Sequence, residues 1–207
     1  MNIYETMSNE ELKKYIPDVY QKTIFGIDYS QLQNAGIKVI SFDVDDTIIQ
    51  LEKPATFLSA DVILKFQQLR NMGFEMYLIS NNISEHRVRK IGEKLGADYI
   101  PDAGKPDTRN FDMIRQQYFQ KHGTPIQPKE MAHIGNSMRK DVAFGNTYGV
   151  TTCLVRRLGE IGAIIHHHKR HELRKVLKDR HIWRKHHKYV HGDQYYQLYD
   201  TPLSQAW

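Results

Sequence analysis

Between Lys38 and Arg156, short apolar runs alternate with stretches of helical spacing. Lys38 to Val44 is β-branched and aromatic and ends abruptly in acids, which reads as a buried strand opening into a loop. Ser59 suits a helix N-cap; Val62, Ile63, Phe66 and Leu69 follow on one face, and Gly73 stops the helix. Phe74 to Ser80 is a second strand, after which Ser84 caps a helix carrying Val88, Ile91 and Leu95 and closed by Gly96. Ala97 to Ile100 is a short strand, and Thr108 to His122 is a helix with Phe111, Ile114 and Tyr118 inward. Met131 to Gly135 and Thr151 to Val155 complete the strand set, joined by a short helix near Asp141 to Tyr148. Repeated strand–helix units of this length predict an α/β fold: a Rossmann-like parallel sheet with right-handed crossovers and helices on both faces.

Ligands of such sheets sit beyond the carboxyl ends of the strands. The unusual polar residues fall there: Asp43 and Asp45, then Ser80, Asn81 and Asn82, then Asn136 to Asp141, with Lys105 in the loop after the third strand. Two carboxylates two residues apart would repel on a regular strand; in a loop they diverge, and a divalent cation neutralises them. One can then attack as a nucleophile while the other moves a proton. Asp141 would also suit a helix N-cap, Asn81 and Asn82 are turn formers, and Thr47 is placed to support the acidic loop.

The chain has 207 residues, 40% hydrophobic and 26% charged, enough for one domain with appendages. No apolar run approaches the ~18 residues of a membrane span, and no basic-then-apolar leader opens the sequence. The single cysteine, Cys153, cannot form an internal disulfide, so a reducing, cytoplasmic setting is expected. The net charge of +5 is uneven: from Gly159 onward there are nine Lys/Arg against five Asp/Glu, with eight of the eleven histidines. Residues 1–32 are therefore expected as an arm packing on the core, 33–158 as the core, and 159–207 as a basic, His-rich helical extension.

The ordered segments Asp43-Val44-Asp45, Ser80, Lys105-Pro106 and Gly135-Asn136 through Asp141 resemble the four motifs of the haloacid dehalogenase superfamily of phosphotransferases, over about residues 13 to 158. Ile16-Pro17-Asp18 with Tyr20, Leu32 through Lys38, and Ile79-Ser80-Asn81-Asn82 with Arg87-Val88 are similar to subfamily IIIA, its YqeG branch, which is related to phosphatidylglycerophosphate phosphatases. The resemblance implies a phosphomonoesterase in which Asp43 forms an aspartyl-phosphate and Asp45 serves as acid and then base. It further implies that Ser80 and the Asn81 N–H hold phosphoryl oxygens and that Lys105 neutralises charge. Magnesium would be held by Asp43, the Asp45 carbonyl and Asp141, with Asn136 standing where the family carries an acid. That substitution removes one negative charge, so weaker magnesium binding is expected, and a catalytically weakened binding or scaffold protein is the competing class.

The gaps from Asp45 to Ser80 and from Ser80 to Lys105 are each consumed by one helix and its flanks, so no cap domain is expected. An open site favours a phosphate on something large: a lipid such as phosphatidylglycerophosphate first, a protein, nucleic acid or soluble metabolite as alternatives. The basic extension suggests peripheral contact with an anionic membrane, at the inner membrane surface, with nucleic acid the lesser candidate. Leu173, Val176 and Leu177 mark an apolar stripe expected to pack on the sheet domain. His167 with His171, and His187 with His191, have zinc-like spacing but no third ligand.

Overall fold

Alternation along each strand decides which helices lie on which face. In the computed structural model, which describes residues 2–159, 171–182 and 196–197, the described strands are β1 (Val19–Gln21), β2 (Val39–Phe42), β3 (Glu75–Ile79), β4 (Asp98–Ile100), β5 (Met131–Gly135), β6 (Thr151–Val155) and β7 (Tyr196–Gln197). The sheet order is β4-β3-β2-β5-β6-β1-β7; the first six strands run parallel and β7 pairs antiparallel on the β1 edge. Ile40 and Phe42 point to the face that also buries Met76, Leu78, Ala132 and Ile134, whereas Val39, Tyr77, Ile79 and Met131 point to the other.

Helices α1 (Ile3–Thr6), α2 (Asn9–Lys13) and α3 (Tyr29–Asn34) precede the main alternation. Then α4 (Ala60–Asn71) and α5 (Glu85–Leu95) cover the first face through Val62, Phe66, Leu69, Val88, Ile91 and Leu95. On the second face, α6 (Arg109–His122) and α7 (Ala143–Tyr148) bring Phe111, Ile114 and Phe144. The expected caps form: the Ser59 hydroxyl accepts from Val62 N–H and Ser84 from Arg87 N–H, while Gly96 ends α5 in a left-handed conformation. Such a cap is worth about 1 kcal/mol, which makes these boundaries sharp.

Residues 1–32 do more than pack as an arm, because β1 extends the sheet beside β6. A third cluster joins Tyr4, Leu12, Tyr15 and Tyr20 to Leu173, Val176 and Leu177 of the helix over 171–179, so that apolar stripe packs inward as expected. Arg180 donates to the carbonyls of Glu5 and Met7 and fastens this helix to the N-terminal region. His167, His187 and His191 lie outside the described residues. No described helix is long and apolar enough to cross a membrane. From Asp45 to Ser59 the described chain contains only the turn Ala55–Phe57 and a bridge between Asp45 and Ile49, so no cap domain lies between these residues.

Candidate active site

Four carboxyl-end loops converge as the sequence predicts. β2 ends at Phe42, and the Asp43 N–H still donates to Ile134 O (2.8 Å), which fixes Asp43 against β5. The chain then turns through Asp46, whose φ of 61° is left-handed and whose carboxylate is held by Leu51 N–H and the Arg157 guanidinium. The Thr47 hydroxyl donates to Asp43 Oδ2 (2.8 Å), supporting the acidic loop.

Lys105 is the centre of charge. Its Nζ lies 2.8 Å from Asp43 Oδ1 and 2.6 Å from Asp141 Oδ1, and all three residues are buried. The Asn81 side chain aims the lysine by clamping its backbone in both directions: Lys105 N–H donates to Asn81 Oδ1 (2.8 Å), and Asn81 Nδ2 donates to Lys105 O (3.0 Å). Ser80 is buried beside it, and its hydroxyl oxygen accepts from the Asn82 N–H.

Asp141, expected as a magnesium ligand and a suitable helix cap, lies beside Lys105 in the fold. Ser137 is the N-cap of the wide turn Met138–Val142, and Asp141 sits inside that turn. Oδ1 takes Lys105 and faces His133 Nε2 at 3.4 Å, while Oδ2 accepts the Ser137 N–H at 2.9 Å. Gly135 makes the approach possible, since a Cβ there would lie 2.3 Å from Asp141 Cγ. Behind Asp141, His133 is enclosed by Phe111 and Phe144, with Nδ1 2.8 Å from Ser41 Oγ.

Electrostatics follow from this burial. Burial raises the Asp43 carboxyl, the Asp141 charge adds to the rise, and Lys105 opposes it; the result is about 6. Burial also works against ionised Asp141, but Lys105 and His133 outweigh it and hold that carboxyl well below its ordinary range. The two carboxylates likewise overcome the burial of Lys105 and raise it, whereas burial lowers His133. Lys105 thus faces two carboxylates, of which burial favours the neutral form of Asp43 more than that of Asp141.

Asn136 Nδ2 donates to Asp43 Oδ2 (3.1 Å), Asp45 O (2.8 Å) and Thr47 Oγ1 (2.9 Å), while its Oδ1 is buried without a hydrogen-bond partner. The amide nitrogen therefore sits where Asp43 and the Asp45 carbonyl converge, and turning the amide about would present its unpartnered Oδ1 to a hard divalent ion there. Among the described residues no three His, Cys, Asp or Glu side chains are grouped to hold a metal, so a cation here would depend on the Asp45 carbonyl and, with the amide turned about, Asn136 Oδ1 beside Asp43.

Two residues at the site have roles that motif reading does not supply. The Arg87 guanidinium donates twice to Asp45 Oδ1 (Nε 3.1 Å, Nη2 2.9 Å) and also to the carbonyls of Gln50 and Lys53; Asn82 Nδ2 takes Asp45 Oδ2 at 2.9 Å. Arg87 stands out in sequence only as part of the resemblance to subfamily IIIA. His133 gives no signal, since one histidine in a buried strand reads as an ordinary strand residue.

A sheet of this order carries a buried Asp–Lys–Asp constellation beyond its carboxyl ends, a place suited to an anionic ligand. The family profile described as HAD-hydrolase-like matches residues 102–179. The chain is 29% identical over 168 residues to Probable phosphatase YqeG of Bacillus subtilis (strain 168), spanning 80% of this chain and 92% of that one. Both likenesses are to haloacid dehalogenase-type hydrolases. Among solved structures, the cobalt-bound deoxy-D-mannose-octulosonate 8-phosphate phosphatase (YrbI) of Haemophilus influenzae is similar at 18% identity and a TM-score of 0.42, over 65% of this chain and 90% of that one. The hypothetical protein XCC2798 of Xanthomonas campestris is similar at 16% identity and a TM-score of 0.44, over 69% of this chain and 78% of that one.

Proposed function

We propose that the protein is a magnesium-dependent phosphomonoesterase of the subfamily IIIA type that acts through an aspartyl-phosphate on Asp43. The observation that carries this reading is the contact of Asp43 with Lys105, itself paired to Asp141, beyond the carboxyl ends of the strands. Lys105 neutralises the phosphoryl charge as Asp43 Oδ attacks phosphorus and the bond to the leaving oxygen breaks. Ser80 and the main-chain N–H of Asn81 hold phosphoryl oxygens, and Asp45 moves the proton to the leaving oxygen and later takes one from water. Asp43, the Asp45 carbonyl and Asp141 would hold magnesium, with Asn136 beside them. When bound, that ion neutralises charge on Asp43 and the phosphoryl group.

An uncapped mouth suits a phosphate carried on a large molecule, and a lipid phosphate such as phosphatidylglycerophosphate is the first candidate. The similarity to subfamily IIIA supports that choice. A cytoplasmic setting agrees with Cys153 being buried and free. Asn136 favours one second reading, binding of phosphorylated ligands without turnover, because its amide rather than a carboxylate faces Asp43. Release of p-nitrophenol from p-nitrophenyl phosphate separates the two. Magnesium-dependent release, stopped by EDTA and by Asp43→Asn, supports the enzyme; equal release by the variant, or none by the wild type, overturns it.

A further inference from the structure

Resting on the phosphatase reading, we infer that His133, backed by Ser41, is a positioning residue for Asp141. One imidazole N–H, donated to Asp141 Oδ1 from within the sheet, fixes the carboxylate that faces Lys105 and would hold magnesium. Ser41 and His133 stand opposite each other in β2 and β5, and both are almost fully buried. They interrupt an otherwise aliphatic and aromatic layer of Val39, Tyr77, Ile79, Met131, Phe111 and Phe144. Buried polar side chains are costly unless bonded, and here the bonds form one line. Ser41 Oγ lies 2.8 Å from His133 Nδ1, and His133 Nε2 lies 3.4 Å from Asp141 Oδ1. Lys105 Nζ then bridges Asp141 Oδ1 (2.6 Å) and Asp43 Oδ1 (2.8 Å). An apolar ring at position 133 would suit the packing against Phe111 and Phe144; the imidazole adds a donor aimed at Asp141.

The partners fix which nitrogen carries the proton. Asp141 is ionised beside Lys105, so the nitrogen facing it, Nε2, must be a donor. Enclosed by Phe111 and Phe144, the ring is neutral, which leaves Nδ1 as the acceptor of the Ser41 hydroxyl. Ser41 thereby sets the tautomer, and His133 turns it into a directed bond. Lys105 and His133 on Oδ1 and the Ser137 N–H on Oδ2 (2.9 Å) reach the Asp141 carboxylate from three segments of the chain and hold it in one rotation. Bonds of this kind behind a metal-binding side chain are worth roughly ten- to a hundredfold in metal affinity or activity. His133 lies behind Asp141 and acts through it.

Nitrogen–proton correlation spectra of the metal-free full chain carrying isotope-labelled histidine test the tautomer, with His133 assigned by the signals lost in His133→Gln. The Nε2–H form is expected, and Ser41→Ala should shift Nδ1. Calorimetric titration with magnesium should show affinity falling roughly tenfold or more in His133→Phe and His133→Asn. It should recover in His133→Gln, whose amide nitrogen reaches the place of the imidazole Nε2. With p-nitrophenyl phosphate at magnesium near the wild-type Kd, kcat should follow the affinity while KM stays unchanged. A histidine that only fills the core would leave the Asn and Gln variants alike. Near-ultraviolet circular dichroism checks folding, and the contrast of Gln with Asn decides where His133→Phe does not fold. The Nδ1–H tautomer, or wild-type affinity and kcat in His133→Asn, would overturn the inference. A wild type that binds no magnesium and releases no p-nitrophenol removes the phosphatase reading instead; the metal-free spectrum still decides the tautomer on which the positioning stands.

Discussion

Replacing Asn136 by aspartate puts back the carboxylate that the family carries and tests how this site tolerates metal-free conditions. The Asn136 amide donates to Asp43 Oδ2 at 3.1 Å. A carboxylate in its place meets Asp43 at about the same separation, and two unit charges there repel by about 5 kcal/mol at an effective dielectric of about 20. Protonating one of the pair relieves this. Asp43, already raised to about 6 in the fold, takes that proton at a cost of about 1.4 kcal/mol at pH 7, at 1.36 kcal/mol per unit. The donated bonds to the Asp45 carbonyl and Thr47 add roughly 1 kcal/mol each where they are lost. The variant is thus expected to be about 3 kcal/mol less stable than wild type in EDTA at pH 7, but only about 2 kcal/mol less stable at pH 5.5, where Asp43 already holds its proton. Magnesium should narrow the gap, because an ion held by two carboxylates binds tighter and stabilises by about 2.7 kcal/mol once it reaches a hundredfold excess over Kd. Urea denaturation of both proteins at the two pH values, in EDTA and over a magnesium titration, reads all of these quantities. Equal stability in EDTA at pH 7, or the same magnesium-induced gain in both proteins, would refute the reasoning.

Other consequences follow from the same contacts. Asp43 is raised to about 6 in the fold, so its favourable contribution is complete below its unfolded value and is lost as pH rises through about 6; on the order of 3 kcal/mol should disappear between pH 4 and 7 in metal-free protein. Urea midpoints across that range should show this slope in wild type and lose it in Asp43→Asn, and phosphate release should fall as pH drops through the same region. Arg87→Met should cost about 2 kcal/mol in denaturant unfolding and lower kcat with little change in KM, because it frees Asp45 and the Gln50–Lys53 segment together. Arg87→Lys, which has no planar fork, should restore little; full rescue by lysine would show that charge alone matters. Gly135→Ala should destabilise by roughly 2 kcal/mol or more and separate Asp141 from Lys105, because its Cβ has no room beside the Asp141 carboxyl. Wild-type thermal stability and turnover in that variant would contradict the placement of Asp141.

The strands and helices that hold the site were legible because their signals are local. Ser59, Ser84, Gly73 and Gly96 bound helices with one apolar face, and each chemically unusual residue follows a β-rich run. β1 was not legible: Val19–Gln21 is three residues long, and what makes it a strand is its distant register with Cys153 to Val155. Asp141 pairing with Lys105 was hidden for a related reason. The wide turn Met138–Val142 carries Asp141 inward past a glycine, and neither a motif nor a 3.6-residue period encodes that displacement. His133 faces Asp141 because alternation in β5 sends it to the side of Phe111 and Phe144, a fact that needs the sheet order to interpret. Arg87 needed the fold as well, since its partner Asp45 lies in a different loop.

The most direct measurement is chemical trapping of the phosphorylated carboxylate. Acid quench during turnover of a radiolabelled phosphate monoester with magnesium, followed by peptide mapping, should place hydroxylamine-sensitive label on the peptide containing Asp43, and Asp43→Asn should carry none. Label on His133 or another residue, or phosphate release that continues unchanged in Asp43→Asn, would contradict the account.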